Sequence, residues 1–223
     1  MRIQLRTGTV AEFVLPEGKP VLGVVLSPDI EGLRPLFSEM AGRLAREQRW
    51  AVCVPEPYPG REHLSVDERL IARYDDPRVI GDLIAAADRL ADAECAQIAV
   101  MGFCIGGMGA AKAAGTGCFD RAVSIYGMIR IPEPWRGPNN IEPLEALKRP
   151  NACPTLAIIA GNDHWTPDAD VAALRALGKH ITVIEYPDAA HGFVHGPSRK
   201  EYRKEAHDDA WRHIIDFLNA LNS

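Results

Sequence analysis

Short apolar runs alternate along the chain with longer stretches whose apolar residues recur every three or four positions. Val21–Leu26 and Trp50–Val54 are continuous apolar runs, as expected of strands covered on both faces. Ile98–Met101, Arg121–Tyr126, Thr155–Ala160 and Thr182–Tyr186 read the same way. Between them, helical spacing predicts helices over Pro35–Arg46, Val66–Ala72, Pro77–Ala91, Asp168–Leu177 and Arg199–Leu221. Arg2–Leu5 and Ala11–Leu15 read as two short strands joined across Gly8, an antiparallel hairpin at a sheet edge. Pro187–Phe193 reads as a loop, and Gly127–Pro150 as a proline-rich loop without periodicity.

Strands alternating with helices predict an α/β protein with a mostly parallel, doubly wound sheet and helices on both faces. Chemistry in such a sheet sits at the carboxyl ends of the strands. With 223 residues and no linker, repeat or low-complexity tract, one domain over residues 1–223 is expected.

Composition narrows the function. A formal charge of −5, with no basic cluster, argues against nucleic-acid and anionic-membrane partners. No run approaches the roughly 20 apolar residues of a membrane span, and the first residues lack a signal-peptide core. The five cysteines (Cys53, Cys95, Cys104, Cys118 and Cys153) are widely spaced without CxxC, so neither disulfides nor zinc are expected. Free thiols fit a cytoplasmic setting. No His/Asp/Glu set has metal-ligand spacing, and no cofactor is expected. Oligomeric state is left open.

One stretch organises the rest. Ile98–Met101 runs into Gly102–Phe103–Cys104–Ile105–Gly106–Gly107, then into an alanine-rich helix. This is the G-x-nucleophile-x-G turn, with Cys104 where serine is commoner. Glycines on either side remove side chains where strand and helix would collide. The helix starting at Cys104 turns its free N–H groups toward the sulfur, which favours a thiolate.

Asp163 lies three residues past Ala160, and His191 five past Tyr186, each beyond the carboxyl end of a strand. Parallel strands bring such loops to one rim, in the order nucleophile, acid, histidine. His191 would then take the Cys104 proton and Asp163 would orient the ring. Asp188 is an alternative acid, within the His191 loop itself. His164 follows Asp163 and would point elsewhere, while His207 and His213 read as surface residues. A tetrahedral oxyanion needs two donors: the Ile105 N–H by geometry, and the Ile30 N–H from the Ser27–Gly32 loop. Tyr126, Trp135, Trp165, Phe193 and His195 are candidates to line the pocket.

Three segments together, Gly102–Gly107, Gly161–Pro167 and Ala190–Phe193, resemble the dienelactone hydrolase family of cysteine-dependent α/β-hydrolases. The resemblance runs from about Val21 to the C-terminus. It implies an α/β-hydrolase fold without a large lid, and hydrolysis of a small ester or lactone by a Cys104–His191–Asp163 triad. It also implies an acidic residue touching the resting thiol, the place of Asp29 here, with Glu31 as a substitute. The family holds a substrate carboxylate with arginines, one four residues past the catalytic histidine and one expected around residues 66–74. This chain has His195 at the first place, and Arg69 and Arg73 near the second, which argues against dienelactone itself as substrate. Alternatives are a thioesterase or carboxylesterase acting on another acyl group, or a hydrolase-fold binding protein without turnover.

Overall fold

Val, Ile and aromatic residues dominate the apolar runs and fit a pleated surface buried on both sides. In the computed structural model, which describes residues 1–72 and 75–221, they form β1 (Arg2–Gln4), β2 (Val10–Val14), β3 (Leu22–Ser27), β4 (Trp50–Pro55), β5 (Ile98–Phe103), β6 (Arg121–Ile125), β7 (Thr155–Asn162) and β8 (Ile181–Ala190). They lie in one sheet in the order β1-β2-β4-β3-β5-β6-β7-β8. β1, β2 and β4 pair antiparallel, so the N-terminal hairpin sits at the edge. Every other pair is parallel.

The helices are α1 (Pro35–Gln48), α2 (Val66–Ile71), α3 (Asp76–Ala91), α4 (Ile105–Ala114), α5 (Pro143–Leu147), α6 (Asp168–Arg175) and α7 (Lys204–Asn219). Phe37 and Leu44 of α1 and Trp211 and Ile214 of α7 pack on one sheet face, with Leu22, Val24 and Leu26 of β3. Val25 points the other way, toward Leu83 and Leu90 of α3 and the alanines of α4. The two-residue period of the strand thus feeds two cores. Each large aliphatic side chain so buried contributes roughly 1.5–3 kcal/mol.

Four expectations need correction. The 127–150 segment is not structureless: it holds a 3-10 turn at Glu133–Trp135 and helix α5. Both are too short to register as periodicity; proline presets the start of α5, whose Leu144 and Leu147 are buried. β8 continues through Pro187 and Asp188 to Ala190, pairing with Asn162 across a register shift. Proline is tolerated there because β8 is an edge strand. His191 is therefore at the strand's end, not midway through a loop. Helix α7 begins at Lys204, not Arg199, because the chain turns first, the Arg199 N–H bonding the Gly196 carbonyl. His207 is half-buried rather than on the surface, its Nδ1 2.9 Å from the Val194 carbonyl.

Candidate active site

β5 delivers Cys104 to the carboxyl edge, and α4 starts on the next residue. Cys104 has φ 57° and ψ −120°, a conformation that costs a non-glycine residue roughly 1–3 kcal/mol. Its N–H donates to the Ile125 carbonyl at 3.0 Å and its own carbonyl accepts from Met108 at 3.0 Å. The flanking glycines are required by contact: a Cβ on Gly102 would lie 2.2 Å from the Gly106 oxygen, and one on Gly106 2.3 Å from the Pro28 and Ser27 oxygens. These are backbone atoms and cannot step aside. The same contact seats the loop after β3 directly against the elbow.

His191 follows β8, and its Nδ1 lies 2.6 Å from Asp163 Oδ2. Asp163 Oδ1 accepts the Trp165 N–H at 3.0 Å, so both carboxylate oxygens are engaged. The Asp163 side chain is fully buried and Asp188 is exposed, which leaves Asp163 as the partner of this ring. Burial opposes a charged His191, but hydrogen bonds from Asp163 and Cys104 outweigh it and raise the imidazole to about 10. Asp163 and His191, far apart in the chain, thus meet, and Cys104 is among the groups that act on the same ring.

Asp29 is buried behind this rim, and its oxygens are taken by groups other than the thiol. Arg34 donates to both of them, at 2.5 and 2.9 Å. The Glu31 N–H donates to Oδ1 at 3.0 Å, and His195 Nε2 stands 2.6 Å from Oδ2. Burial works against ionisation, yet His195 and Arg34 hold the Asp29 carboxyl well below the usual carboxylate range. Glu31 faces outward and pairs with Arg34 and Arg199. The contacts described for the two acids thus run to Arg34, Arg199, His195 and the Glu31 N–H rather than to the thiol. Asp29 is a methylene shorter than glutamate, and Arg34 captures it; five residues past Asp29, just before α1, Arg34 was the one signal of this in the sequence.

The expected lining divides in two. Tyr126, Phe193 and His195 are buried and form a wall behind His191: the Tyr126 ring lies 4.9 Å from the His191 ring and 5.4 Å from His195. The Tyr126 hydroxyl contacts His195 Nδ1. Burial keeps that phenol well above its ordinary value, and keeps His195 below its own despite Asp29. The His195 ring thus sits between a hydroxyl at Nδ1 and a carboxylate oxygen 2.6 Å from Nε2. Tyr126, at the end of β6, also carries a positive φ of 37°. Trp135 and Trp165 instead stack, with centroids 6.2 Å apart, in an apolar cluster with Tyr58, Ile105 and Met108 against which Cys104 packs. Ile30 joins the same cluster. Of the two candidates for the arginine expected around residues 66–74, Arg73 lies outside the described residues. Arg69 is buried and donates to the Ile30 and Glu62 carbonyls at 2.8 and 2.6 Å. Among the described residues, no group of three or more His, Cys, Asp or Glu is gathered to hold a metal, and no helix is long and apolar enough to cross a membrane.

An eight-stranded, mostly parallel sheet flanked by helices, with a strained elbow between β5 and α4, defines an α/β-hydrolase without a large lid. More narrowly, the chain belongs to the dienelactone hydrolase family, whose profile matches residues 10–222. A "Putative carboxymethylenebutenolidase" of Methylorubrum extorquens is 27% identical over 98% of this chain and 79% of its own length. A "Probable 2-oxo-3-(5-oxofuran-2-ylidene)propanoate lactonase" of a Bradyrhizobium species is 27% identical over 87% of this chain and 82% of its own. In fold, the chain is similar to the crystal structure of a "Putative Dienelactone Hydrolase" from Klebsiella pneumoniae, with TM-score 0.85, 22% identity, and coverage of 98% of this chain and 97% of that one. A dienelactone hydrolase-like promiscuous phosphotriesterase from metagenomic libraries superposes with TM-score 0.77 at 20% identity, over 99% of this chain and 97% of that one.

Proposed function

We propose that this hydrolase cleaves a small, uncharged ester or lactone through an acyl-enzyme on Cys104. The observation that carries the reading is the His191 ring, held by Asp163 at 2.6 Å, with Cys104 among the groups that raise it. A ring raised to about 10 carries its proton at neutral pH and can deliver it to a leaving group. The sulfur attacks the carbonyl carbon, a C–S bond forms, and the carbonyl electrons move onto oxygen. The N–H groups of Ile105 and Ile30 hold that oxyanion. On collapse the C–O bond to the leaving group breaks, and His191 gives that oxygen its proton. His191 then takes a proton from water, whose hydroxide attacks the thioester. The acid leaves and the Cys104–His191 pair is restored. Asp163 fixes the ring throughout and stabilises its charged form.

The apolar cluster of Tyr58, Ile105, Met108, Trp135 and Trp165 beside Cys104 supports an apolar acyl or ring portion. The lack of charge is supported by His195 and Arg69: both are engaged inside the protein, by Asp29 and Tyr126 and by two carbonyls. Relatives named as a carboxymethylenebutenolidase and a lactonase support lactones among the substrates. Five free cysteines fit work in the cytoplasm.

The test is hydrolysis of p-nitrophenyl acetate by the wild type and by Cys104→Ala. Loss of turnover in the variant, with selective iodoacetamide labelling of Cys104 in the wild type, is expected. Undiminished turnover in Cys104→Ala contradicts the proposal. Turnover of acyl thioesters in strong preference to oxygen esters and lactones redirects the substrate class while leaving the triad intact.

A further inference from the structure

Several peptides of the loop after β3 are held, some from within the loop and some from elsewhere, and one clamp is unusual. The peptide joining Ile30 to Glu31 is gripped at both ends. Its carbonyl accepts from Arg69 Nη1 at 2.8 Å, and its N–H donates to Asp29 Oδ1 at 3.0 Å. The next N–H, of Gly32, donates to the Asp29 carbonyl at 3.0 Å, and that of Leu33 to Glu56 Oε2 at 3.0 Å. Asp29 is itself fixed by Arg34. Arg69 comes from α2, thirty-nine residues away, and is anchored there by the Glu62 carbonyl and by stacking over the Tyr58 ring at 4.8 Å.

Burying an arginine to hold two carbonyls is costly. Arg69 is 5% exposed, and its Nε–H is left buried with no acceptor. Gly32 lies between it and the Glu56 carboxylate: a Cβ on that glycine would stand 3.1 Å from Glu56 Oε1 and 3.2 Å from Arg69 Nη1. A residue kept there for packing alone would be apolar, because an unsatisfied buried donor is a penalty with no return in stability.

We infer that Arg69, with Asp29, is a positioning residue for the oxyanion hole: by clamping the Ile30–Glu31 peptide it holds the Ile30 N–H toward the oxygen that becomes charged at Cys104. This rests on the proposed acyl-enzyme chemistry. It assigns Arg69 to the loop rather than to a substrate carboxylate. It also links α2 to the loop at the reacting centre by hydrogen bonds, beside the packing of Leu70 in the cluster that holds Ile30 and Cys104. Oxyanion stabilisation depends on donors preorganised within tenths of an ångström of the developing charge, so a loosened peptide is felt in the transition state far more than in the resting site.

The experiment separates the hole from the Cys104–His191 pair. Butanal adds reversibly to Cys104: the S–C bond forms, and the aldehyde oxygen, lodged in the hole, takes the His191 proton. Iodoacetamide alkylates Cys104 by displacement and uses no oxyanion donor. For Arg69→Met, which keeps an apolar stem on Tyr58, the butanal inhibition constant is expected to rise at least about tenfold, a part of the hundredfold or more that losing one donor entirely costs. kcat for p-nitrophenyl acetate falls alongside it, while the alkylation rate stays within about twofold of wild type. Arg69→Lys, which can still reach one carbonyl, should recover part of the loss and serves as the test where the methionine variant does not fold. An unchanged butanal constant in a folded variant overturns the inference, and so does a fall in alkylation equal to the loss of butanal affinity. If wild-type Cys104 is neither alkylated selectively nor blocked by butanal, the acyl-enzyme reading fails first and this one with it.

Discussion

His195 Nε2 stands 2.6 Å from Asp29 Oδ2, which ties the loop after β8 to the loop after β3 beneath the elbow. Burial holds the His195 imidazole below its ordinary value. As pH falls through about 6.5, the unfolded chain takes up this proton and the folded chain resists it, so stability is lost on acidification. His195→Gln should therefore flatten the decline in urea midpoint between about pH 7 and about pH 5. An unaltered slope contradicts this account of the pair.

His191 works in the opposite sense and in a different window. Its folded value, raised to about 10, exceeds the unfolded one of about 6.5. Its contribution to stability is present in full below about pH 6.5 and is lost as pH rises through about 10. Asp163→Asn removes one of the hydrogen bonds that raise it. The alkaline limb of kcat/KM should move to lower pH, and kcat should drop by up to about ten-thousandfold, as when the orienting acid of a triad is made neutral. The pH–rate profile of Asp163→Asn checks both, and a profile superposable on wild type rules out the assignment of Asp163.

Gly106→Ala would press a methyl group against the Pro28 and Ser27 carbonyl oxygens at 2.3 Å. Backbone on both sides leaves no room to relax, so a loss of about 3 kcal/mol or outright misfolding is expected from urea unfolding. Stability within about 0.5 kcal/mol of wild type, the range of an ordinary surface substitution, contradicts the packing described.

Away from the rim, Lys112 on α4 meets Asp76 at the start of α3 at 2.7 Å, both side chains almost wholly buried. Asp76 also accepts the Ile141 N–H at 2.6 Å, tying the 127–150 segment to the start of α3. Burial pushes the Lys112 amine down while Asp76 pulls it back up. Lys112→Met strands that carboxylate, and a loss of about 3–5 kcal/mol is expected. Asp76→Asn combined with Lys112→Met should recover part of it in the same denaturation assay; no recovery argues against the ion pair as the cause.

The fold was legible because the central parallel strands announce themselves as apolar runs, and all eight strands fall on segments the chain marks out, β8 running four residues past its expected end. The spacing of Cys104, Asp163 and His191 beyond strand ends followed from the same fact. Elements held by tertiary contact rather than by local pattern were hidden. The single turns of α5 register no period, and β8 passes Pro187 only because nothing pairs on its outer side. The surroundings of Asp29 were hidden for a related reason. Which partner a buried carboxylate finds depends on side chains from α1 and from beyond β8, and no spacing along the chain encodes that Arg34 and His195 arrive together.

The central claim is an acyl group carried on one sulfur. Wild-type protein quenched in acid during turnover of p-nitrophenyl acetate, digested and analysed by mass spectrometry, reads it directly. An acetyl-sized mass increase is expected on the peptide bearing Cys104, absent from Cys104→Ala and accumulating when deacylation is slowed. Steady turnover with that peptide unmodified, or with the acetyl group on another of the five cysteines, contradicts the mechanism.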